Sequence, residues 1–137
     1  MRNLITTKAG LLGWGLLGII AAVPAIAGDV YVIAHPSVTL TGAELKDAYL
    51  GEKQFIGSVK LVPVDNAAVQ SDFLAKTLNM DAGKYASLWI KKGFRGGLAS
   101  PPVKSGDAEV INFVKATPGA VGYVSAPVQG VMLLHKY

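Results

Sequence analysis

The sequence predicts an α/β fold: a three-layer sandwich with helices packed over a mixed, mainly parallel sheet. Two observations predict it. β-rich runs alternate with helix-periodic runs along residues 28–137, and that alternation puts helices on the faces of a sheet. The stretch from Asp107 to Tyr123 shows one complete junction: an amphipathic helix ends at Thr117, Pro118-Gly119 turns the chain, and a strand begins.

The first segment reads as an export signal, residues 1–27. Arg2 and Lys8 make a positive start, and residues 9–28 carry no charge. Pro24 breaks the apolar run, and Ala25-Ile26-Ala27 offers a small-x-small cleavage site. A permanent anchor would have nearly this length, but neither Pro24 nor the Ala-x-Ala site serves an anchor. The expectation is a periplasmic protein, with one lobe at residues 28–137 and no membrane span after cleavage. Removing residues 1–27 takes two of the thirteen basic residues and none of the nine acidic ones, so the formal charge falls from +4 to +2. That balance gives no argument for nucleic acid. The chain has no cysteine, which excludes disulfides, thiolate metal sites, thiol catalysis and a lipid-modified N-terminal Cys.

The elements follow in order. Val30 to Ala34 is β-rich and stops at His35-Pro36. Thr41-Gly-Ala-Glu44 is a capping box, with Leu40 and Leu45 placed for a hydrophobic staple. Leu45, Ala48 and Tyr49 share one helical face, and Gly51 stops the helix. Val59 to Val64 reads as a second strand, with Pro63 near its end or on an edge. Asp65 and Asn66 are good N-cap residues for a helix running to about Leu78 and ended by Asn79. Asp81 caps a third helix, with Tyr85, Leu88 and Trp89 inward and Gly93 as its stop. Residues 93–106 read as a long loop. A fourth helix starts near Ser105 or Gly106, with Val110, Phe113 and Val114 inward. Strands at 120–124 and 131–135 close the chain, and the short link Ser125–Gly130 fits an antiparallel pair.

Chemistry could sit in two places. The start of the helix after Val64 presents free N–H groups and a positive dipole end, which attract anions. Asn66, Gln70 and Ser71 could add side-chain hydrogen bonds there, and Asp65 could accept from a protonated anion such as hydrogen phosphate. The plainer reading is that Asp65-Asn66 only caps a helix. Lys91-Lys92-Gly-Phe-Arg95-Gly-Gly is a glycine loop with three cations that could clamp an anion through Arg95; solvated loop charges are the plainer reading. His35 and His135 lack a clear carboxylate partner and make no metal site. No nucleophile elbow, Walker loop or dinucleotide fingerprint is present. No catalytic residue and no cofactor are expected. Tyr49, Phe55, Trp89, Phe113 and Tyr123 are expected in or near the core.

Three blocks carry a resemblance to the periplasmic substrate-binding proteins of phosphate ABC transporters, a type II periplasmic binding protein family. Leu40-Thr-Gly-Ala-Glu-Leu-Lys-Asp-Ala-Tyr-Leu-Gly51 resembles the family's helix ending in Tyr/Phe-Leu-Gly, with Phe55 where a Trp usually follows. Val59 to Leu78 is similar to its strand-loop-helix at the ligand. Ala108 to Val124 resembles its Phe-Val-x-x-x-Pro-Gly-Ala-Ile/Val-Gly-Tyr-Val block. The resemblance implies one lobe of a two-lobed receptor, here in a single-lobe short form with hinge strands at either end. It also implies solute transport, a small phosphate-like anion and an ABC permease as partners, with Asp65 or Asn66 at the place of the family's Asp and Ser71 near its hydroxyl positions; Gln70 and Arg95 complete the candidate set from the residue reading above, not from the resemblance. The family's Arg and its Gly-Ser-Gly-Thr-like turn have no match in Pro63-Val-Asp-Asn-Ala-Ala-Val-Gln-Ser71. A ligand-free envelope module, as homodimer or accessory subunit, is the other expectation, because an orphan lobe leaves strand edges and apolar surface uncovered.

Overall fold

The computed structural model describes residues 28–137; the expected signal segment and its cleavage site lie outside the described residues. The chain runs β1 (Tyr31–Ala34), α1 (Gly42–Tyr49), β2 (Phe55–Ile56), β3 (Val59–Lys60), β4 (Val62–Pro63), β5 (Asp65–Asn66) and α2 (Gln70–Phe73). A wide π turn at Leu74–Leu78 continues α2, and then come α3 (Ala82–Gly96), β6 (Val103–Lys104), α4 (Asp107–Ala116), β7 (Ala120–Val124) and β8 (Met132–Lys136). The main sheet has the order β4-β7-β1-β8. It is mixed: β4 runs parallel to β7, while β1 is antiparallel to both β7 and β8.

Helices cover both faces of this sheet, as the alternation of elements implies. Side chains alternate across a strand, so Val121 and Tyr123 of β7 join the core under α1, α2 and α3. Ala120 and Val124 point the other way, to Val110 and Val114 of α4. All five residues of β7 are buried, as befits one of the two interior strands, β7 and β1. Gly122 is what lets α4 come close. A Cβ there would lie 2.6 Å from Val110 Cγ1 and 3.2 Å from Val64 Cγ2.

The capping box forms as its residues dictate. Thr41 Oγ1 accepts from the Glu44 N–H at 3.1 Å, and Glu44 Oε1 accepts from the Thr41 N–H at 3.0 Å. Leu40 and Leu45 are buried in one cluster with Ala48 and Tyr49, on the inward face of α1. Burying Leu45 and Tyr49 stabilises this helix by about 1.5–3 kcal/mol each, far more than its own propensity. Asp81 caps α3 through the Lys84 N–H at 2.8 Å, and Asn79 ends the π turn with φ 54°.

Five expectations are corrected. The run Val59 to Val64 is not one strand. Its first half folds back on β2 as a hairpin, and only Val62–Pro63 joins the main sheet, at the edge where the missing proline N–H costs nothing. Asp65 and Asn66 do not cap α2. They form β5 and pair with β6, with the Asp65 N–H donating to Pro102 O and the Ala67 N–H to Lys104 O, both at 2.9 Å. Gly93 does not stop α3, since an interior glycine costs only about 1 kcal/mol; the helix runs to Gly96 and Gly97 ends it at φ 66°. β7 and β8 do not pair. Val128 and Val131 of their link pack on the α4 side, so the chain crosses that face and β8 arrives on the far edge of β1. Phe55 lies in the small hairpin and is 53% exposed.

Candidate functional site

Asp65 is the centre of the most unusual polar arrangement among the described residues. It follows the edge strand β4 directly, and its pairing with β6 fixes its backbone. Its carboxylate is 1% exposed. Tyr123 of β7 donates its hydroxyl to Oδ1 at 2.7 Å, and Tyr85 of α3 donates to Oδ2 at 2.9 Å. Burial pushes the Asp65 carboxyl above its usual range, while the hydroxyls of Tyr123 and Tyr85 and the Gln70 side chain pull it back. The same burial, with the Asp65 charge beside them, raises both tyrosines well above the usual phenol range, so both remain donors.

Asp65 and Gln70 lie on the floor of an open groove of about 780 Å³. One wall is the stripe Ala82, Ala86, Ile90 and Phe94 of α3; the opposite wall is the segment from Leu98 to Val103. These walls are mostly apolar. No lysine or arginine lines this groove. Its chemistry is therefore that of a hydrogen-bond acceptor at the bottom of an apolar cleft.

The five residues that sequence reasoning nominated do not all meet. Asp65 and Gln70 share the groove. Asn66 is fully buried and already saturated: Nδ2 donates to Asp107 Oδ1 at 2.8 Å and to Tyr123 O at 2.9 Å, and Oδ1 accepts from the Ala68 N–H at 3.0 Å. It ties β5 to the start of α4. Ser71 is exposed and faces a separate depression with Asn79, Met80 and Lys84. Arg95 belongs to a third depression, with Lys84, Lys91 and Lys92, on the side of α3 turned away from Asp65. The regular helix after Val64 begins only at Gln70 and has no side-chain cap.

Tyr85, Tyr123 and Asp107 are the residues that sequence reasoning missed as partners of this site. A local signal for Asp65 did exist: a carboxylate ends an otherwise apolar strand, Leu-Val-Pro-Val-Asp. Both histidines hold backbone or local contacts instead of a shared site. His35 Nδ1 lies 2.8 Å from Ser37 Oγ, and His135 Nε2 lies 3.0 Å from Leu40 O. Among the described residues no cluster of three His, Cys, Asp or Glu could hold a metal ion, and no helix is long and apolar enough to cross a membrane.

No family model matches the chain, and no curated protein matches it. In fold it is similar to the crystal structure of an ABC-type phosphate transport receptor from Vibrio cholerae, with a TM-score of 0.50 and 17% identity. The match covers 80% of this chain and 47% of the receptor, so the chain spans about half the receptor's length. At that identity the likeness is one of fold alone, a mixed, partly parallel α/β architecture.

Proposed function

We propose that the protein is a periplasmic solute-binding-like lobe, and that it takes a small protonated oxyanion such as hydrogen phosphate at the Asp65–Gln70 groove. The observation that carries the reading is the buried Asp65 carboxylate on the floor of an open groove, in a lobe whose fold is similar to a phosphate transport receptor. Each Asp65 oxygen receives one tyrosine hydroxyl and keeps lone-pair capacity for a donor from the solute. A P–OH group is such a donor. A fully ionised anion is repelled, because no cation lines the groove.

Calorimetric titration with phosphate and sulfate tests this. Phosphate carries a proton near neutral pH and sulfate does not, so heat from phosphate alone is the expected result. Silence with phosphate at about millimolar concentration, an affinity near 4 kcal/mol, removes the reading. Asp65→Asn should abolish the preference for the protonated ion. The reading extends to an ABC permease as the lobe's partner in transport.

A second reading, a ligand-free interaction module, has its own observation. β8 is the open edge of the sheet, with Met132 and Leu133 exposed, whereas the opposite edge strand carries Pro63. An open edge pairs readily with another strand. Sedimentation at micromolar concentration separates the two: a ligand-blind dimer favours the module, and a monomer with phosphate affinity favours the receptor lobe.

A further inference from the structure

We infer that the outer face of α3 docks on an anionic phospholipid surface. The charge of the described chain is divided unevenly. Helix α3 holds four cations, Lys84, Lys91, Lys92 and Arg95, and no carboxylate, while the rest of residues 28–137 holds seven cations and nine carboxylates. Its N-cap Asp81, the Glu52 carboxylate 2.5 Å from Lys92 Nζ and, on the inward face, Asp65 bonded to Tyr85 are acids in contact with the helix. Lys84, Lys91 and Arg95 form no ion pair among the described residues and recur at helical spacing along one face.

Beside that cationic stripe the same helix exposes large apolar side chains. Phe94 is 88% exposed and Ile90 is 61% exposed, four residues apart and turned away from the inward face of Tyr85 and Trp89. An exposed aromatic next to lysine and arginine is the composition of a helix lying in a membrane interface, with the ring among acyl chains and the cations at headgroup phosphates. Lysine is depleted at the centre of protein–protein interfaces, and here lysines flank the most exposed ring. Charge complementarity therefore selects anionic lipid over an apolar protein partner. Ile90 and Phe94 also wall the Asp65 groove, whereas the cations line a separate depression on the side of α3 turned away from that carboxylate, so vesicle binding that depends on Lys91 and Arg95 is read apart from anion binding at Asp65.

The test is sedimentation of residues 28–137 with phosphatidylcholine vesicles, with and without phosphatidylglycerol. That span contains the whole sheet and both cores, and leaving out residues 1–27 removes the uncharged run from the measurement. Trp89 is the single tryptophan of the span, and its fluorescence confirms that each variant is folded. Binding is expected to vesicles with phosphatidylglycerol and to weaken with salt. Lys91→Gln with Arg95→Gln should lower it roughly thirtyfold, and Phe94→Ser about tenfold. Indifference to phosphatidylglycerol, or full binding by the double variant, overturns the proposal. So does salt-sensitive retention on polyglutamate by a protein that ignores the vesicles, which would assign the stripe to an acidic protein.

Discussion

One face of the sheet packs around buried aromatic rings that carry hydrogen bonds; the buried residues of the other are all aliphatic, with Tyr31 and Phe113 only at its margin. Under α1, α2 and α3, Tyr49, Phe73 and Tyr123 form one aromatic group, with Phe73 stacked on Tyr123 at 3.9 Å between ring centroids. Their polar atoms are all engaged. Tyr49 donates to Val64 O at 2.7 Å, Trp89 donates to Tyr49 O at 3.2 Å, and Tyr123 holds Asp65. Under α4 lie Ile33, Val64, Val110, Val114, Ala120 and Val124. The aliphatic face needs only the right volume, so it tells little about function. The aromatic face needs particular partners at particular distances, and the groove opens on that face.

The largest expected effect lies at the aromatic stack. Phe73→Ala should cost about 3–5 kcal/mol, because it opens a cavity between two rings that cannot collapse onto each other. Urea unfolding of residues 28–137, followed by Trp89 fluorescence, measures it. Val110→Ala on the other face should cost clearly less, since it removes two methyl groups. Equal costs would erase the distinction between the faces.

Gly122 sharpens the comparison from the aliphatic side. Gly122→Ala should cost about 1–3 kcal/mol by overpacking, because the new methyl meets Val110, whose branched side chain has little rotamer freedom. The same unfolding measurement checks it. A neutral result would mean that α4 can slide, and that the aliphatic face is looser than its close contacts imply.

How much of this was legible in the sequence follows from the range of the interactions. The capping box at Thr41, the inward face of α1 and the helix-turn-strand at Thr117 to Ala120 are set by residues within a few positions of one another, and all appear as read. Asp65 and Asn66 read as helix caps because local preference favours Asp and Asn there. Their side-chain partners are 20 and 58 residues away for Asp65, and 41 and 57 for Asn66, so the one local hint, a carboxylate ending an apolar strand, does not say which groups it meets. The pairing of β8 with β1 was hidden in the same way. A link as short as residues 125–131 suggests a hairpin until Val128 and Val131 are seen to pack on the α4 face.

The hydroxyl groups test the polar face more finely. Tyr123→Phe keeps the ring stack and removes one donor from a buried carboxylate, at a cost of about 1–3 kcal/mol at neutral pH. Tyr85→Phe should cost less, since Tyr85 lies on α3 beside the open groove and water can replace its hydroxyl. The loss should shrink in acid, where a neutral Asp65 needs fewer donors. A Tyr123→Phe penalty that is the same at every pH would mean that the hydroxyl matters for packing and not for the carboxylate.

The smallest effect sets two carboxylates against each other. In Asp65, desolvation prevails and the folded pKa lies above the ordinary 3.8. Its contribution to stability is fully present below the ordinary value and is lost as pH rises through the folded one. Asp107, at the start of α4, is the opposite case: desolvation raises its pKa, but hydrogen bonds from Ser125 and Asn66 outweigh that and the folded value lies below 3.8. Its contribution is present above the ordinary value and is lost as pH falls through the folded one, and because Asp107 is only partly buried and solvent screens it, the contribution amounts to at most about 1 kcal/mol. Stability should therefore rise as pH falls from neutral toward 3.8, as Asp65 takes up its proton, and fall again below it. Asp65→Asn should flatten the upper limb of the unfolding free energy against pH, and Asp107→Asn the lower one. If Asp65→Asn leaves the upper limb intact, the carboxylate is wetter than its burial implies, and the acceptor on the groove floor is a different group.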